Sequence, residues 1–532
     1  MRDFHQPGRS AVYSTNGMAA TSMPAATLTA LDVLRAGGNA VDAAIAACAV
    51  LGVIEPQSTG IGGDCFCLYA PAGGDAVFAV NGSGRAPAAA SIDYFDAAGI
   101  TALANTSPHT VTIPGAVSAW QLLLERFGSK DFDELLRPAI RYAEEGFPVH
   151  PRVAADWSEE GEKLARSDNE LFLPGGRPPA EGARFVQAAL AKTLRAVAAK
   201  GADAFYLGEV AQDMGSTLQK AGGLHREEDF ARGRRVAEFV EPIHAQWKGY
   251  DVWQCPPNGS GIVVLMMLGI LDALGPTADG PTSTLRLHRH IEAARLAYRD
   301  RDAFVADPSQ AKVPVAQLTS PDYTRALATL IDDRRALSSL PAPGVSPVPA
   351  HRDTVYISVV DRDGNACSFI NSLFQSFGSG ILAKESGVLL HNRGFGFRLE
   401  RGHPNCIAPD KRPMHTIMPG MLTREGHAVM PFGVMGGHFQ PMGQTLFLTN
   451  LLEYGMDIQE ALEAPRLFPF AGAVEVERGI PERTRVELAA MGHRIVEIGR
   501  PHGGGQAIWI DRERGVLVGG SDPRKDGIAL GY

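Results

Sequence analysis

The spacing of apolar and polar positions predicts an α/β protein with many helices in its first two-thirds. Asn39 is suited to cap a helix that begins at Ala40, and the pair Glu55-Pro56 ends that helix. A glycine-rich stretch at 60–64 precedes a strand-like run at 65–70. Helices are predicted at 23–36, 40–51, 116–126, 132–145, 184–200, 210–221, 261–274 and 285–304, and strands at 65–70 and 76–80.

The pattern changes sharply after residue 336. Residues 337–353 contain four prolines and show no periodicity, which predicts an exposed, extended segment. The runs 354–360 and 366–372 that follow are β-rich, as in the core of a sheet. Beyond them, strands are predicted at 388–391, 418–422, 428–432, 474–476, 507–510 and 516–519, with helices at 442–452 and 457–464.

A turn sequence at 361–365, Asp-Arg-Asp-Gly-Asn, joins the two β-rich runs. A hairpin centred on Asp363 places Thr354 opposite Ser372 at its open end, where the two hydroxyls can hydrogen-bond. The same turn resembles the start of a calcium loop, but the twelfth position, which requires Glu, is Ser372. From spacing alone, an ordinary β-turn without chemistry remains the alternative.

Composition and charge exclude several classes of protein. Hydrophobic residues make up 45% of the 532 residues and the net charge is −9, with no basic tract, so no nucleic acid partner is expected. The longest apolar runs, 43–54 and 262–271, are too short or too interrupted to span a bilayer, so no membrane partner is expected. The first residues lack a charged-then-apolar signal region, which favours a cytoplasmic protein.

The six cysteines are sparse and lie mostly among apolar neighbours, which predicts reduced, buried thiols. Cys65 and Cys67 lie two residues apart on a predicted strand, and no second pair follows at zinc-finger spacing. The sequence therefore predicts no metal site.

Several ordered motifs share their residues and spacing with one enzyme family. Thr354 is followed by Asp-x-Asp-Gly-Asn-Ala at 361–366, Phe-Gly-x-Gly at 377–380 and Glu-Ser-Gly-x-Leu-Leu-x-Asn at 385–392. Further matches lie at 37–44, 114–115, 411–413, 436–437, 464–466, 521–524 and 531–532. On this set the chain is identified as a member of the γ-glutamyltransferase (glutathione hydrolase) family of N-terminal-nucleophile hydrolases, and the resemblance spans nearly the whole chain.

The resemblance implies a fold and a mechanism. The fold is an αββα four-layer sandwich, in which a large chain, 1–353, and a small chain, 354–532, form one intertwined domain. The Thr354 hydroxyl attacks the carbonyl of Asp353, and hydrolysis of the resulting ester severs the chain and frees the Thr354 amine. That amine titrates near ~7.7–8 and can serve as the base for the hydroxyl. Backbone N–H groups of Gly436 and Gly437 bind the oxyanion, and no cofactor or metal is implied.

The substrate pocket is where the sequence departs from the family. Counting from Thr354, the acid that holds the substrate α-ammonium in γ-glutamyl enzymes corresponds to Gly396. Its Asn and Gln partners correspond to Phe374 and Arg393. An arginine repels an ammonium group and binds a carboxylate, so the sequence lacks the anion that recognises the ammonium and carries a cation in the pocket instead.

Other pocket positions also differ. The paired serines that hold the α-carboxylate in the family align with His415 and Thr416, and the upstream Arg aligns with Ser83. Arg85 lies two residues further on, which in a strand is the same face. The predicted substrate-binding residues are Arg393, Arg85, Phe374, Asn392, His415, Thr416 and His438.

These departures favour an amide substrate that carries a carboxylate and no α-ammonium, such as the monoamide of a dicarboxylic acid. Oxamate-type amidohydrolases and cephalosporin acylase-like members of the superfamily are of this kind. The alternative is that Arg393 pairs with an acidic side chain and is only structural.

Three hypotheses for the whole chain follow. The first is a self-processing amidohydrolase with a small-molecule amide substrate, or a true γ-glutamyltransferase with the same architecture. The second is a processed but weakly catalytic protein that binds an acidic ligand, and the third is an unprocessed structural protein. In the first two, the large and small chains remain partners, and a homodimer of that pair is left open.

Overall fold

The computed structural model describes residues 8–167, 169–340 and 354–532. Asp353, the residue predicted to precede the scissile bond, lies outside the described residues, as does most of the predicted extended segment. The described start of that segment is not fully exposed, because Leu337 and Leu340 pack partly buried against a hydrophobic core. The Leu337 N–H also donates a hydrogen bond of 2.9 Å to a Glu292 carboxylate oxygen.

Two antiparallel sheets of seven strands form the centre of the fold. The hairpin sheet contains, in spatial order, Ile528–Gly531, Met18–Thr21, Val355–Val360, Ala366–Ser372, Asp64–Ala70, Phe78–Gly82 and Glu238–Val240. The facing sheet contains Val12–Ser14, Val516–Ser521, Gly504–Asp511, His427–Met435, Gly420–Arg424, Tyr250–Gln254 and Ile243–Trp247. Smaller sheets are formed by Leu382–Ala383 with Val388–Leu389, by Leu467–Phe470, Ala473–Val476 and Ile495–Glu497, and by Phe147–Pro148 with Arg184–Phe185.

Helices cover the outer faces of both sheets. Their bounds are Pro24–Arg35, Ala40–Ile54, Ile92–Ala97, Ala116–Phe127, Phe132–Glu145, Pro151–Glu159, Gly161–Arg166, Ala188–Lys200, Asp203–Tyr206, Glu209–Lys220, Glu227–Gly233, Ile262–Leu274, Thr284–Phe304, Val315–Leu318, Pro321–Ala328, Gln440–Leu452, Ile458–Glu463 and Glu482–Ala490. Short 3₁₀ helices lie at Pro108–Thr110, Pro174–Gly176, Arg393–Gly396 and Gly437–Phe439. In the described part of the chain, no helix has the length and apolar character that crossing a membrane requires.

Three hydrophobic cores define four layers. Helix Ala40–Ile54, buried along its whole length, packs with its neighbours on the outer face of the hairpin sheet. Helices Ile262–Leu274 and Gln440–Leu452 pack on the outer face of the facing sheet. Between the sheets, side chains such as Tyr356 and Ile508 form a third core. This arrangement confirms the αββα sandwich.

The predicted hairpin forms with the predicted register. Val355 pairs with Asn371 and Val360 with Ala366, which places Thr354 opposite Ser372 at the open end. The hairpin lies in the middle of its sheet, between Met18–Thr21 and Asp64–Ala70. Strands from both sides of the predicted cleavage position are therefore neighbours within one sheet. The hydrogen bonds between them would hold the two cleavage products together.

Candidate active site

The open end of the hairpin brings two buried hydroxyls together. Thr354 Oγ1 lies 3.2 Å from Ser372 Oγ, and both residues are fully buried. Ser372 Oγ also accepts a hydrogen bond of 2.9 Å from the Phe374 N–H. Either hydroxyl can donate to the other, and Ser372 Oγ is held in addition by the Phe374 backbone. The pair fixes the direction of the Thr354 side chain.

The closed end of the hairpin is anchored by Asp361. Its carboxylate accepts hydrogen bonds from the N–H groups of Asp363 and Asn365, which build the turn. It also accepts from the Ala40 N–H at the start of helix Ala40–Ile54, at 3.0 Å. The turn residues that resemble a calcium loop therefore serve to tie the hairpin to a helix N-terminus.

We expect Ser372→Ala to slow self-cleavage by about 10- to 100-fold. The substitution removes the partner of Thr354 Oγ1 and leaves the buried Phe374 N–H without an acceptor, a loss of about 1–3 kcal/mol. Ser372→Thr keeps the hydroxyl and should cleave at close to the normal rate. The time course of two-band formation on a denaturing gel measures the rate, and an unchanged rate in Ser372→Ala contradicts this role.

Asp64 lies beside this pair in the neighbouring strand. It pairs across the sheet with Ser372. The preceding Gly63 has no room for a side chain, because a Cβ there would lie 2.3 Å from the Ser372 carbonyl oxygen. The glycine-rich stretch at 60–64 thus lets the backbone approach the end of the hairpin closely.

The Asp64 carboxylate is surrounded by donors. Its Oδ1 accepts from the N–H groups of Gly84 and Gly115, at 3.1 and 3.3 Å. Its Oδ2 accepts from His415 Nε2 at 3.0 Å and lies 3.5 Å from His391 Nδ1. Burial raises the pKa of Asp64, but the charge of His391 and the hydrogen bonds outweigh burial and hold the pKa well below its ordinary value. Asp64 is therefore a buried anion with its lone pairs in use.

We expect Asp64→Asn to lower the free energy of unfolding by about 3–5 kcal/mol, the cost of breaking a buried charge network. The hydrogen-bond partners of Asp64 are all donors, so the NH₂ group of an asparagine would face another donor and lose that hydrogen bond. Urea unfolding in a Thr354→Ala background, which keeps one chain, measures the difference.

The pH dependence of that difference gives a control. A carboxylate with a lowered folded pKa stabilises the protein above its unfolded pKa of about 3.8 and loses this effect only as pH falls below that value. The difference between wild type and Asp64→Asn should thus be constant from about pH 5 to 8 and shrink below about pH 4. Equal stability of the two proteins at pH 7 contradicts the role of Asp64.

Arg393 extends the cluster through contacts with Phe374, Thr416 and Asp64. Its side chain is fully buried, and its guanidinium carbon lies 4.2 Å from the centre of the Phe374 ring. Nη1 donates to Thr416 Oγ1 at 2.8 Å, and Nε lies 3.8 Å from Asp64 Oδ2, beyond hydrogen-bond reach. Among the described residues, Nε and Nη2 have no hydrogen-bond acceptor.

Burial lowers the pKa of both Arg393 and His415, but it leaves Arg393 charged and His415 neutral. It lowers the pKa of Arg393 to about 9, so the guanidinium remains charged at neutral pH. Burial and the nearby Arg393 charge lower the pKa of His415 to about 3. His415 is thus neutral, with Nε2–H donating to Asp64 and Nδ1 accepting from the Ile417 N–H at 3.3 Å. Arg393 is the cation of this site.

Gly436 and Gly437 form a tight turn at the end of strand His427–Met435. Both have positive φ, 115° and 57°, a region that glycine adopts without strain. A Cβ on Gly436 would lie 3.0 Å from Gly503, which lies next to the start of the neighbouring strand. The N–H groups of both glycines precede the first turn of the 3₁₀ helix Gly437–Phe439 and so have no intrahelical acceptor.

His438 follows this turn and contacts the pocket. Its ring lies 6.5 Å from the Phe374 ring at an interplanar angle of 82°, and it stacks on Phe470 at 6.2 Å. Its Nδ1 lies 3.0 Å from Arg301 Nη1. The structure therefore joins the predicted residues Thr354, Ser372, Phe374, Arg393, Thr416, His415 and His438 into one connected cluster.

Two predicted pocket residues have other partners. Asn392 binds Gln375 and the Asn105 carbonyl through its amide, at 2.8 and 2.9 Å, and so orders the chain around the pocket. Strand Phe78–Gly82 ends before Arg85, so the alternation argued from sequence does not extend to it. Arg85 Nη1 instead pairs with Asp307 at 3.2 Å. A role for either residue in substrate binding stays a prediction.

One cluster has the composition of a metal site, formed by His288, Glu292 and His493. Its ligand atoms are already engaged, because His288 Nδ1 and His493 Nε2 are hydrogen-bonded to each other at 2.8 Å. His288 Nε2 contacts the Asp332 carbonyl, and Glu292 binds Arg295. These contacts fit a hydrogen-bonded core.

The sequence profile described as Gamma-glutamyltranspeptidase matches residues 26–532. The chain belongs to the γ-glutamyltranspeptidase family. As a member of that family it is an enzyme of the N-terminal-nucleophile hydrolase class, which the fold also shows.

Relatives of this γ-glutamyltranspeptidase family member carry different names. A glutathione hydrolase-like YwrD proenzyme of Bacillus subtilis is 37% identical over 94% of this chain and 95% of that protein. An oxamate amidohydrolase proenzyme of Klebsiella pneumoniae is 34% identical over 98% of this chain and 99% of that protein. The crystal structure of a cephalosporin acylase from Bacillus halodurans superposes with a TM-score of 0.92, at 38% identity over 100% of this chain and 99% of that one.

Sequence reasoning missed three residues of the site, namely Asp64, His391 and Arg301. Asp64 directly follows the glycine-rich stretch, and His391 directly precedes Asn392 in a family motif, so both had a local signal. Arg301 has none, because only the tertiary fold brings its helix, Thr284–Phe304, against His438.

Proposed function

We propose that the chain is a self-processing amidohydrolase that cleaves an amide whose acyl group carries a carboxylate and no α-ammonium. The observation that carries this proposal is Arg393, a buried cation with two N–H positions that no described residue accepts. Buried donors without partners cost about 1–3 kcal/mol each and are rare unless a ligand uses them. A carboxylate supplies acceptors in the geometry that a guanidinium favours.

The surroundings of Arg393 disfavour an ammonium group. Asp64 is the nearest anion, but its oxygens already accept from two backbone N–H groups and His415. Gly396, which replaces the acid of γ-glutamyl enzymes, lines a cavity of about 250 Å³. Arg301 and Arg398 lie on the walls of that cavity, together with Asp302, which pairs with Arg301. The proposed substrate is thus an anionic amide such as oxamate or another dicarboxylic monoamide.

Self-cleavage is the first step. Thr354 Oγ1 attacks the preceding carbonyl carbon, the C–N bond breaks, and the acyl group moves from nitrogen to oxygen. Water then hydrolyses this ester, which leaves a carboxylate on residue 353 and a free amine on Thr354. Ser372 holds the attacking hydroxyl in position.

The processed site then acts on the substrate amide. The Thr354 amine accepts the hydroxyl proton while Oγ1 attacks the carbonyl carbon, and the Gly436 and Gly437 N–H groups stabilise the oxyanion. The C–N bond breaks as the Thr354 ammonium returns the proton to the leaving amine. Water, activated by the same amine, hydrolyses the acyl-threonine ester and releases the acid.

A matched pair of substrates tests the proposal. Glutaryl-p-nitroanilide and γ-glutamyl-p-nitroanilide differ only in the α-ammonium group. We expect kcat/KM to be at least about 30-fold higher for the glutaryl compound. This factor corresponds to about 2 kcal/mol of repulsion between the substrate ammonium group and the buried guanidinium, which is a modest value for two like charges. Oxamate hydrolysis, followed by ammonia release, tests the shortest acyl group. Faster turnover of the γ-glutamyl compound would refute the proposal and favour a true γ-glutamyltransferase.

A further inference from the structure

The ring of His438 is held by a strong donor on one nitrogen. Arg301 Nη1 lies 3.0 Å from His438 Nδ1, and an arginine N–H can only donate. Nδ1 must therefore be unprotonated, which places the single ring proton on Nε2. An imidazolium, with a proton on both nitrogens, is incompatible with this contact.

Arg301 is itself fixed. Its Nε and Nη2 both donate to the Asp302 carboxylate, at 2.8 and 2.6 Å, and its side chain is buried. The Tyr298 hydroxyl, one helical turn earlier, donates to the His438 carbonyl oxygen. Helix Thr284–Phe304 therefore holds both the backbone and the ring of His438.

The charges around the ring favour its neutral form. In the described part of the chain, the charged or titratable groups that face His438 are Arg301, Arg393, Arg398 and Tyr298, with Asp302 behind Arg301. Burial and these arginines lower the pKa of His438 well below its ordinary value. Burial, the nearby arginines and the contact with Arg301 Nη1 thus all favour the neutral ring with its proton on Nε2.

The position of the ring suggests what it donates to. His438 directly follows the Gly436-Gly437 turn, and its ring packs against Phe374 at 6.5 Å. Phe374 also contacts Arg393, whose guanidinium carbon lies 4.2 Å from the centre of the ring. His438 and Arg393 therefore both contact Phe374, whose N–H donates to Ser372 Oγ, the hydrogen-bond partner of Thr354.

We propose that the Nε2–H of neutral His438 donates a hydrogen bond to the substrate carboxylate beside Arg393, and that Arg301 is the positioning residue that fixes this tautomer. This inference rests on the proposed function, since it assigns a second donor to the same carboxylate. A neutral donor adds a hydrogen bond without placing a further cation among Arg393, Arg301 and Arg398.

The tautomer can be tested without substrate. ¹⁵N-histidine NMR of the processed protein, with the His438 signals assigned by their loss in His438→Gln, should show protonated Nε2 and unprotonated Nδ1. These shifts should not change between pH 5 and 8. Signals that titrate to the imidazolium form within this range overturn the inference and leave the proposed function untouched.

Kinetics with glutaryl-p-nitroanilide test the donor role. His438→Leu should lower kcat/KM by about 10- to 100-fold, mainly through KM, whereas His438→Gln, which keeps an N–H donor, should lose less than about 10-fold. Equal losses in both variants, with the glutaryl preference intact, overturn the donor role. Loss of the glutaryl preference in the wild type would instead refute the proposed function.

Arg301 is tested through the pH profile. In Arg301→Met the ring loses the donor that keeps Nδ1 unprotonated, while burial, Arg393 and Arg398 remain. The pKa of the ring should therefore rise, and the ratio of the variant's kcat/KM to the wild-type value should change as the pH is lowered. Arg301→Lys, which restores a donor, should remove that pH dependence. A loss in Arg301→Met that is the same at every pH, with unchanged His438 signals, indicates a merely structural role and overturns the assignment.

Discussion

Thr354→Ala is expected to remain a single chain of 532 residues and to lose at least about 10⁴-fold in amide hydrolysis. The physical reason is that, in the proposed mechanism, one hydroxyl performs both reactions. Without Oγ1 the preceding peptide bond is not attacked, so the amine that serves as base is never released. The wild type should give two bands, corresponding to residues 1–353 and 354–532.

Thr354→Ser is the matched control. It keeps the hydroxyl beside Ser372 Oγ and should still cleave itself, more slowly because the missing methyl group leaves its rotamer less constrained. Thermal unfolding and circular dichroism of Thr354→Ala should match those of the uncleaved wild type, because the alanine leaves the hairpin and its sheet intact. A Thr354→Ala protein that separates into two chains, or that hydrolyses amides while intact, would refute the nucleophile assignment.

The hairpin could be predicted because its information is local. A turn of known chemistry joins two β-rich runs, and antiparallel pairing about a fixed turn determines every partner, including Thr354 opposite Ser372. Helix Phe132–Glu145 was predicted with the same bounds for a similar reason, since its apolar positions form one stripe between an Asp131 cap and Gly146.

Other elements lack a local signal. Met18–Thr21 lies between Ile528–Gly531 and Val355–Val360 in the hairpin sheet and is buried on both faces, so its residues show no alternation of apolar and polar positions. The predicted helix at 184–200 is shorter, Ala188–Lys200, because Arg184–Phe185 pairs with Phe147–Pro148 as a strand. Tertiary pairing overrode the helical pattern there.

The residues of the site also fall into two groups, those that a local motif predicts and those that only the tertiary fold brings together. Thr354, Ser372 and the two glycines follow from motifs, whereas the electrostatic character of the pocket depends on contacts between distant parts of the sequence. Arg393 was expected either to bind a carboxylate or to pair with an acid. The structure places Asp64 near it, yet at 3.8 Å from Nε and with its oxygens already bonded to other donors. Arg393 and Asp64 therefore attract each other without a hydrogen bond, and no described residue accepts from Nε or Nη2 of Arg393.

Arg393→Gln should therefore change specificity more than stability. The variant keeps an amide donor toward Thr416 but removes the charge, and we expect kcat/KM for glutaryl-p-nitroanilide to fall by about 10²- to 10³-fold, or about 3–4 kcal/mol. Activity toward γ-glutamyl-p-nitroanilide should fall far less or rise, because the repulsion of its ammonium group disappears. The measured quantity is the ratio of the two kcat/KM values.

Arg286→Gln provides the control for removing a buried arginine. Arg286 is also buried, also stacks on an aromatic ring, Tyr454 at 4.6 Å, and also donates to a threonine, Thr449 at 2.7 Å. Its partners Thr449 and Tyr454 lie at the end of helix Gln440–Leu452 and just beyond it, and not among the residues around Thr354. Arg286→Gln should lower stability while the substrate ratio stays at the wild-type value. If Arg393→Gln also leaves the ratio unchanged, the Arg393 charge does not select the substrate, and the pocket must recognise its acyl group by other contacts.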